Sequence, residues 1–311
     1  MGKETAGRAG TAGGHKVRGK WECRKSGGME ENMKYIGTQT YGLIKELTED
    51  FEGTIHALHE LGFNAVEPLV IYREKQGEEP NNKWSYELLQ RAQAVMNELG
   101  MTIPSVHCDV NPNVAGSMEE LVEKMLEVKK VSGVKVFVTS SGVHTKEEAV
   151  ETGAFLGKVA SMLKENGCQL LLHNHENEMK PLEDGSWPMD HILEAAGSDL
   201  MLEPDFGWAG FSADELEAAK KYKERVYYIH LKDFYPGYAK KGYNRQEIPD
   251  SAFSAVGEGE IRLKEVMEGA DSFCNCQGTL IIDQDAYEQG MLKALEMGMK
   301  NVNSWGIKIE D

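Results

Sequence analysis

The sequence predicts an α/β fold, a single-domain (β/α)8 TIM barrel. Three observations predict it. From residue 34 onward, eight short apolar runs alternate with eight helix-like stretches, roughly 35 residues per unit, the repeat such a barrel requires. The runs are apolar throughout, as in a parallel sheet covered on both faces. The last four end in carboxylates, histidines or a lysine, and this barrel gathers its βα loops and its chemistry at the C-terminal ends of the strands. A doubly wound open sheet is the rival. Against it, no G-x-G-x-x-G follows the first run, and polar strand ends are spread along the whole chain.

Residues 1–32 stand apart. They are rich in Gly, Lys and Arg and poor in apolar side chains, with seven basic residues against four acidic ones. Such a segment cannot bury enough surface to offset its ordering entropy, so it is expected to be a disordered or non-native basic tail. The catalytic barrel is expected over 33–311. Its first strand falls at 35–41 and its first helix at 50–61, stopped by Gly62. A strand at 65–72 precedes a helix at 85–99, with Gly100 after it. A strand at 102–109 leads to a helix at 117–131, where Ser117 stands three residues before Glu120 in a capping-box pattern. A strand at 134–140 is followed by a helix at 146–166 and Gly167. Gly just past a helix is the expected left-handed stop. The strand at 169 precedes a helix at 188–196, the strand at 200 a helix at 213–222, and the strand at 226 a long loop at 235–257. A short helix at 263–268, the strand at 279 and a helix at 288–300 complete the order.

The formal charge is −17, and with the basic tail set aside the remainder carries −20. That balance argues against nucleic acid or an anionic membrane as the main partner. No run of about 18 apolar residues is present, so no membrane span is expected, and the N-terminus lacks the apolar core of a secretory signal. Five cysteines, Cys23, Cys108, Cys168, Cys274 and Cys276, are odd in number and not in zinc-finger spacing. They read as reduced thiols in a cytoplasmic protein, and the C-x-C at Cys274 has no second thiol pair beside it.

Strand parity selects the chemistry. Side chains at i and i+2 share a face. His230 pairs in this way with Lys232, Glu203 with Asp205, Asp283 with Asp285, His173 with His175, and His107 with Asp109. Glu67 ends the apolar start of the second strand. An inward ring of acidic, imidazole and ammonium groups therefore crowns a barrel with apolar lower layers. Taken singly, a strand-end His is usually structural, an Asp there usually caps the next helix, and Lys232–Asp233 could be a surface pair of little worth. Together, crowded carboxylates repel one another and need a cation. Carboxylates with imidazole suit Mn2+, Mg2+, Co2+ or Zn2+ rather than a soft-metal ion.

Over about residues 34–305 the sequence resembles the sugar phosphate isomerase/epimerase family, also called xylose-isomerase-like TIM barrels. The residues that carry the resemblance are HNHENE at 173–178, E-x-D-x-x-W at 203–208 followed by Ala209 and Gly210, HLKD at 230–233, VGEGEI at 256–261 and IIDQD at 281–285. Inosose dehydratases, ketose epimerases and C-glycoside deglycosidase catalytic subunits look alike in these segments. The resemblance implies a divalent metal, most often Mn2+, held by carboxylates and a histidine of the last four strands. By position the ligands would be Glu178, Asp205, His230 and Asp283. Asp283 is shorter by a methylene than the Glu more usual there. Glu178 lies past the strand end, out of step with His173 and His175, so His173 is the alternative ligand.

A sugar ketone and its neighbouring hydroxyl would bind such an ion, which acts as a Lewis acid while the adjacent proton leaves. By the resemblance, His175 is the first candidate for the base, followed by His107 and Glu67. Lys232 would hold a hydroxyl or developing oxyanion. Trp208, Glu258 and His173 are candidate substrate contacts, and the tyrosines of 235–243 could line the sugar's apolar face. The expected activity is isomerisation or epimerisation of a sugar or ketosugar. Elimination from a ketosugar is the close alternative, because all three begin with the same proton abstraction. A non-catalytic sugar-binding barrel is the second alternative. A metal-dependent endonuclease would want a basic groove, and no Gly-rich phosphate cradle precedes the last strands. The expected partner is a small sugar, with oligomerisation, including a small partner subunit, as a further expectation.

Overall fold

The computed structural model describes residues 32–77 and 83–310. Eight parallel strands close on themselves: β1 (Tyr35–Gln39), β2 (Ala65–Glu67), β3 (Val106–Cys108), β4 (Val136–Ser140), β5 (Gln169–His173), β6 (Leu200–Leu202), β7 (Ile229–Leu231) and β8 (Thr279–Ile282). β8 pairs with β1 over four residues, Thr279 with Tyr35 through Ile282 with Thr38, which shuts the barrel. Two seams are looser. Between β2 and β3 the contact runs through a bridge of Ala65 with Thr102 and then through Leu69–Val70 beside His107 and Cys108. Pro68 and Pro104 cause this, since a proline has no N–H for the ladder. Between β6 and β7 two bridges hold, Leu202 with Val226 and Asp205 with His230. The second bridge brings two strand ends together at the rim.

The helices cover the outside: α1 (Phe51–Glu60), α2 (Tyr86–Glu98), α3 (Met118–Ser132), α4 (Lys146–Glu165), α5 (Pro188–Ala196), α6 (Glu215–Tyr222), α7 (Leu263–Glu268) and α8 (Met291–Ser304). The start signal read at Ser117 forms in half: its Oγ accepts from Glu120 N–H, while the Glu120 carboxylate reaches back to Gly116 N–H. Ser85 and Ser117 accept from the third backbone N–H of α2 and α3, and Thr145 with Glu148 makes a full capping box on α4. α3 ends on Gly133 at φ 77°, a conformation costly for any residue with a Cβ. Short helices at Ile44–Glu49, Glu176–Met179 and Phe206–Ser212 were not anticipated, and α8 starts three residues later than expected. The short β segments Asn32–Met33 and Lys308–Ile309 pair in parallel below β1.

Apolar packing falls into two parts. Outward strand residues such as Phe137, Leu170, Leu172, Ile229 and Leu231 join the helices in one large core. A separate cluster of Val136, Val138, Leu171 and Tyr228, with Met201 against it, shares the parity of the rim groups and plugs the barrel interior beneath them. No helix among the described residues is long and apolar enough to cross a membrane. The expected tail lies outside the described residues except for Asn32. One expectation fails outright: Cys108 and Cys168 are free thiols, but Cys274 is disulfide-bonded.

Candidate active site and metal centre

β5 ends in His173, β7 carries His230 at its centre, and the segments just past β6 and β8 supply Asp205 and Asp283. One donor atom from each of these four lies within 4.8 Å of the others, and all four residues are buried. Each also carries a buried polar atom with no hydrogen-bond partner: His173 Nδ1, Asp205 Oδ2, His230 Nδ1 and Asp283 Oδ1. Unpartnered polar atoms are costly in an interior, and two imidazoles and two carboxylates converging in this way fit an oxygen- and nitrogen-preferring divalent cation. Asp205 is held by its other atoms. Its backbone N–H donates to Asn174 Oδ1 at 3.0 Å, and its Oδ1 accepts from Trp208 N–H at 2.9 Å, capping Phe206–Ser212. The helix-cap role of a strand-end Asp and a ligand role thus fall to different oxygens of one carboxylate.

Glu178 is placed elsewhere. Its Oε1 accepts from the Ser141 hydroxyl at 2.6 Å and from the N–H groups of Gly142 and Val143, and its Oε2 from His175 N–H at 2.9 Å. The carboxylate ties the loop after β4 to the turn after β5, and it is not part of the four-residue cluster. His173 stands there instead. The reason is the parity noted in the sequence: the strand ends at His173, and the chain turns into the helix Glu176–Met179 before Glu178 is reached.

Beneath the four lies a second, fully buried group, Glu67, Glu203 and His230. His230 Nε2 is 3.1 Å from Glu203 Oε2 and 3.4 Å from Glu67 Oε1, while its Nδ1 is 3.7 Å from Asp283 Oδ2. Burial alone would lower the His230 pKa, but Glu203, Glu67 and the contact with Asp283 raise it well above the usual value. Burial and the neighbouring Glu67 push Glu203 up to about 8. Burial, reinforced by Asp283 and opposed by Lys232, pushes Asp205 up to about 7. Glu67, despite burial, is held well below the carboxylate range by His230 and His107, and Ser105 donates to its Oε2 at 2.6 Å. Glu67 therefore supports the floor of the site from under His230.

Lys232 is fully buried, not the surface partner of Asp233. Its Nζ lies 2.8 Å from Asp285 Oδ1, 2.9 Å from Asp283 Oδ2 and 4.0 Å from Asp205 Oδ2. Burial opposes its charge, but these carboxylates raise its pKa further, so it is a fixed ammonium. Trp208 is completely buried and forms a platform behind it, with Nζ 5.2 Å from the ring centroid. Trp208 does not line the inner cavity. Asp233 faces away. Its two oxygens accept from the N–H groups of Phe234, Gly257, Gly259 and Ile261, fixing the VGEGEI turn. Glu258, on that turn, is exposed and accepts from Asn301 at 2.8 Å, away from the cluster.

A cavity of 110 Å3 reaches two of the four donor residues, His173 and Asp283, and is lined also by Gln39, Tyr41, His107, His175 and Lys232. The tyrosines of 235–243 do not line it; Tyr41 is its aromatic wall. His107, His173 and His175 stand edge to face, with successive ring centroids 5.3 and 5.2 Å apart. Gln39 Nε2 is 3.0 Å from His107 Nδ1. Burial, and Arg245 after it, lower the His175 pKa well below its usual value, so the ring is neutral, and it accepts from Arg245 Nη1 at 2.6 Å. Asp109 points out to Lys83 at 3.2 Å and takes no part. Sequence reasoning missed Gln39, which carried no signal beyond its strand-end position. It also missed Arg245, whose signal was the length of the 235–257 loop, since long loops in compact barrels tend to be functional.

The chain matches the model of the xylose isomerase-like TIM barrel family over residues 55–296. It belongs to this family. Among curated family-like proteins it is similar to an inosose dehydratase of Clostridium perfringens, 26% identical over 196 residues. That match covers 54% of this chain and 63% of the relative, so it spans less than two thirds of the relative's length. Among solved structures it is similar to a sugar phosphate isomerase/epimerase from Parabacteroides distasonis, with a TM-score of 0.67 at 18% identity over 88% of this chain and 96% of that one. It is also similar to the IolI protein with a zinc atom bound, with a TM-score of 0.64 at 12% identity over 88% and 98% of the two chains. At these identities the structural likeness speaks for the family barrel.

Proposed function

We propose that this family barrel abstracts a proton beside the carbonyl of a ketosugar, using a divalent cation held by His173, Asp205, His230 and Asp283. The observation that carries the reading is the convergence of four buried donor residues, two of which, His173 and Asp283, line a cavity that also holds His107, His175 and the fixed ammonium of Lys232. A cation held there would supply Lewis-acid polarisation of a carbonyl and its neighbouring hydroxyl. The rest falls to the chain's own groups. Neutral His175 is a competent base once Arg245 releases its Nε2, and His107, on the far side of His173, is placed to return or remove a proton on another face. Lys232 is positioned to hold an oxygen on which negative charge develops, since its charge is locked by Asp283 and Asp285. Glu67 is too deep to touch a substrate and steadies His230 and His107.

Two outcomes share this step. Return of the proton to the neighbouring carbon or to the opposite face gives isomerisation or epimerisation, the outcome commoner in the family that the sequence resembles. Loss of a hydroxyl or other group from the next carbon gives elimination, which the inosose dehydratase relative favours. Solvent deuterium exchange into a panel of ketosugars, followed by mass spectrometry, tests the shared step. Exchange that requires added Mn2+, Mg2+, Co2+ or Zn2+ is expected. Failure of every ketosugar with every ion would leave only a sugar-binding barrel.

A further inference from the structure

Beyond the inner cavity lies a larger cleft of 590 Å3, lined among others by Ser141, His144, Glu176, Asn177, Asn244 and Gln246. The two hollows share Ser140, His175 and Arg245, so they are contiguous and the His175–Arg245 pair is the wall between them. Their sizes differ in kind. The inner hollow is well under the roughly 300–1,000 Å3 of ordinary ligand pockets, and the outer one falls within that range. Their linings differ too. Besides the shared Ser140, His175 and Arg245, the inner hollow holds Lys232, Asp283, Asp285 and two more imidazoles, whereas the outer one adds the Ser141 hydroxyl, His144, three primary amides and the Glu176 carboxylate.

Glu176 is the informative member. It is buried, its Oε1 accepts from Arg245 N–H at 2.8 Å and from Asn177 Nδ2 at 3.2 Å, and its Oε2 has no partner. An ionised carboxylate oxygen is an acceptor only, so what it lacks is a donor. Neutral amides on either side offer both donors and acceptors, the combination that matches vicinal hydroxyls. A phosphate or carboxylate on the ligand would be repelled by Glu176 and would leave the amide acceptors unmet, and the Arg245 guanidinium in the wall is already turned to His175 and Asp285.

We propose that the outer cleft is a second subsite, which takes an uncharged polyhydroxylated ring joined to the ring processed at the inner cluster. The substrate class is then a glycoside, not a free monosaccharide. Glu176 Oε2 accepts one of its hydroxyls, Asn177 and Gln246 bind neighbouring ones, and the linkage passes the His175–Arg245 wall. This deepens the ketosugar reading above and rests on it for the chemistry at the inner end.

Calorimetry on the full chain with Mg2+ tests it, comparing methyl α- and β-D-glucopyranoside with cellobiose, lactose, gentiobiose, maltose and trehalose. At least one disaccharide is expected to bind tenfold or more tighter than the methyl glycosides. Glu176→Gln, which keeps the acceptor used by Arg245, and Gln246→Ala, at an exposed position, are expected to abolish that preference and leave methyl glycoside binding unchanged. Equal binding of all probes, or a preference that survives both variants, overturns the subsite. Solvent deuterium exchange into methyl 3-oxo-glucoside, measured alongside, keeps the two ideas apart. Exchange without disaccharide preference sinks the subsite alone, and preference without exchange sinks the inner chemistry alone.

Discussion

Exchanging the roles of His173 and Glu178 is the sharpest test of the site. His173 Nδ1 has no hydrogen-bond partner in the protein, and His173→Ala removes one of the four converging donor residues. The fold is expected to persist, with bound divalent metal weakened by at least about tenfold, the lower end of what even outer-shell changes cost a metal site. Glu178→Ala acts in the opposite way. It strips the acceptor from the N–H groups of Gly142, Val143 and His175 and from the Ser141 hydroxyl. An unmet buried donor costs about 1–3 kcal/mol, and Gly142 is exposed enough to find water, so the loss should be about 3–5 kcal/mol. For a domain of this size that is a fall in Tm of roughly 6–15 °C. The assay is metal per chain by plasma mass spectrometry after desalting, with calorimetric Tm on the same samples. Glu178→Ala is expected to melt early yet load metal, and His173→Ala to melt normally yet fail to load. The reverse pattern would refute the assignment and restore Glu178 as a ligand.

Other changes have equally direct readouts. Lys232→Met leaves Asp283 and Asp285 buried without their ammonium, which should cost about 3–5 kcal/mol in chemical denaturation measured without metal. A loss under 1 kcal/mol would contradict the reading. Gly207→Ala would place a Cβ 2.1 Å from the Lys232 carbonyl oxygen, so it should push β7 from the Asp205 turn and lower metal content with little change in helicity by circular dichroism. For Asp233, burial pushes the carboxyl up to about 6 against four N–H donors that pull it down. The folded chain therefore holds this proton more tightly than the unfolded chain, whose Asp titrates near about 4, and stability falls as pH rises from about 4 to 6. Asp233→Asn should remove that part of the slope in urea titrations across the window, and an unchanged slope would place its origin elsewhere.

The barrel was legible because its signal is repeated eight times. Apolar runs, capped helix starts and glycine stops recur at one spacing, and each unit supports the reading of the next. Rim groups set by strand parity were legible too: His173, Asp205, His230, Lys232 and Asp283 all follow from which face a strand presents. What parity could not reach were residues beyond the point where the chain turns from the strand direction into a helix or a long loop. Glu178 looked like a ligand by position, but a four-residue helix intervenes and turns it toward the β4 loop. Glu258 sits in a motif, yet its neighbour Asp233 holds the turn while Glu258 itself faces Asn301. Arg245 reaches the site from a loop whose path is set by the antiparallel pairing of Asp233–Phe234 with Phe253–Ser254 and by Glu176, contacts between residues far apart in sequence.

The electrostatics explain why such a site exists at all. Glu67, Glu203, Asp205, Asp283 and Asp285 are packed together with His230, Lys232 and Arg245 as their cations. Those cations do not suffice. Asp283 and Glu67 are held ionised by direct contact with Lys232 and His230, but Glu203 and Asp205 are pushed up to about 8 and about 7 and retain protons that a better-compensated carboxylate would lose. Counted as fully ionised, the five carboxylates exceed the three cations by two charges, and a divalent ion among His173, Asp205, His230 and Asp283 would offset them. Protons can cover such a deficit singly, but they cannot polarise two oxygens of a sugar at once. An ion of charge two can, and placing it there would also free Asp205 to ionise, coupling occupancy of the centre to the acid–base state of the cavity above it.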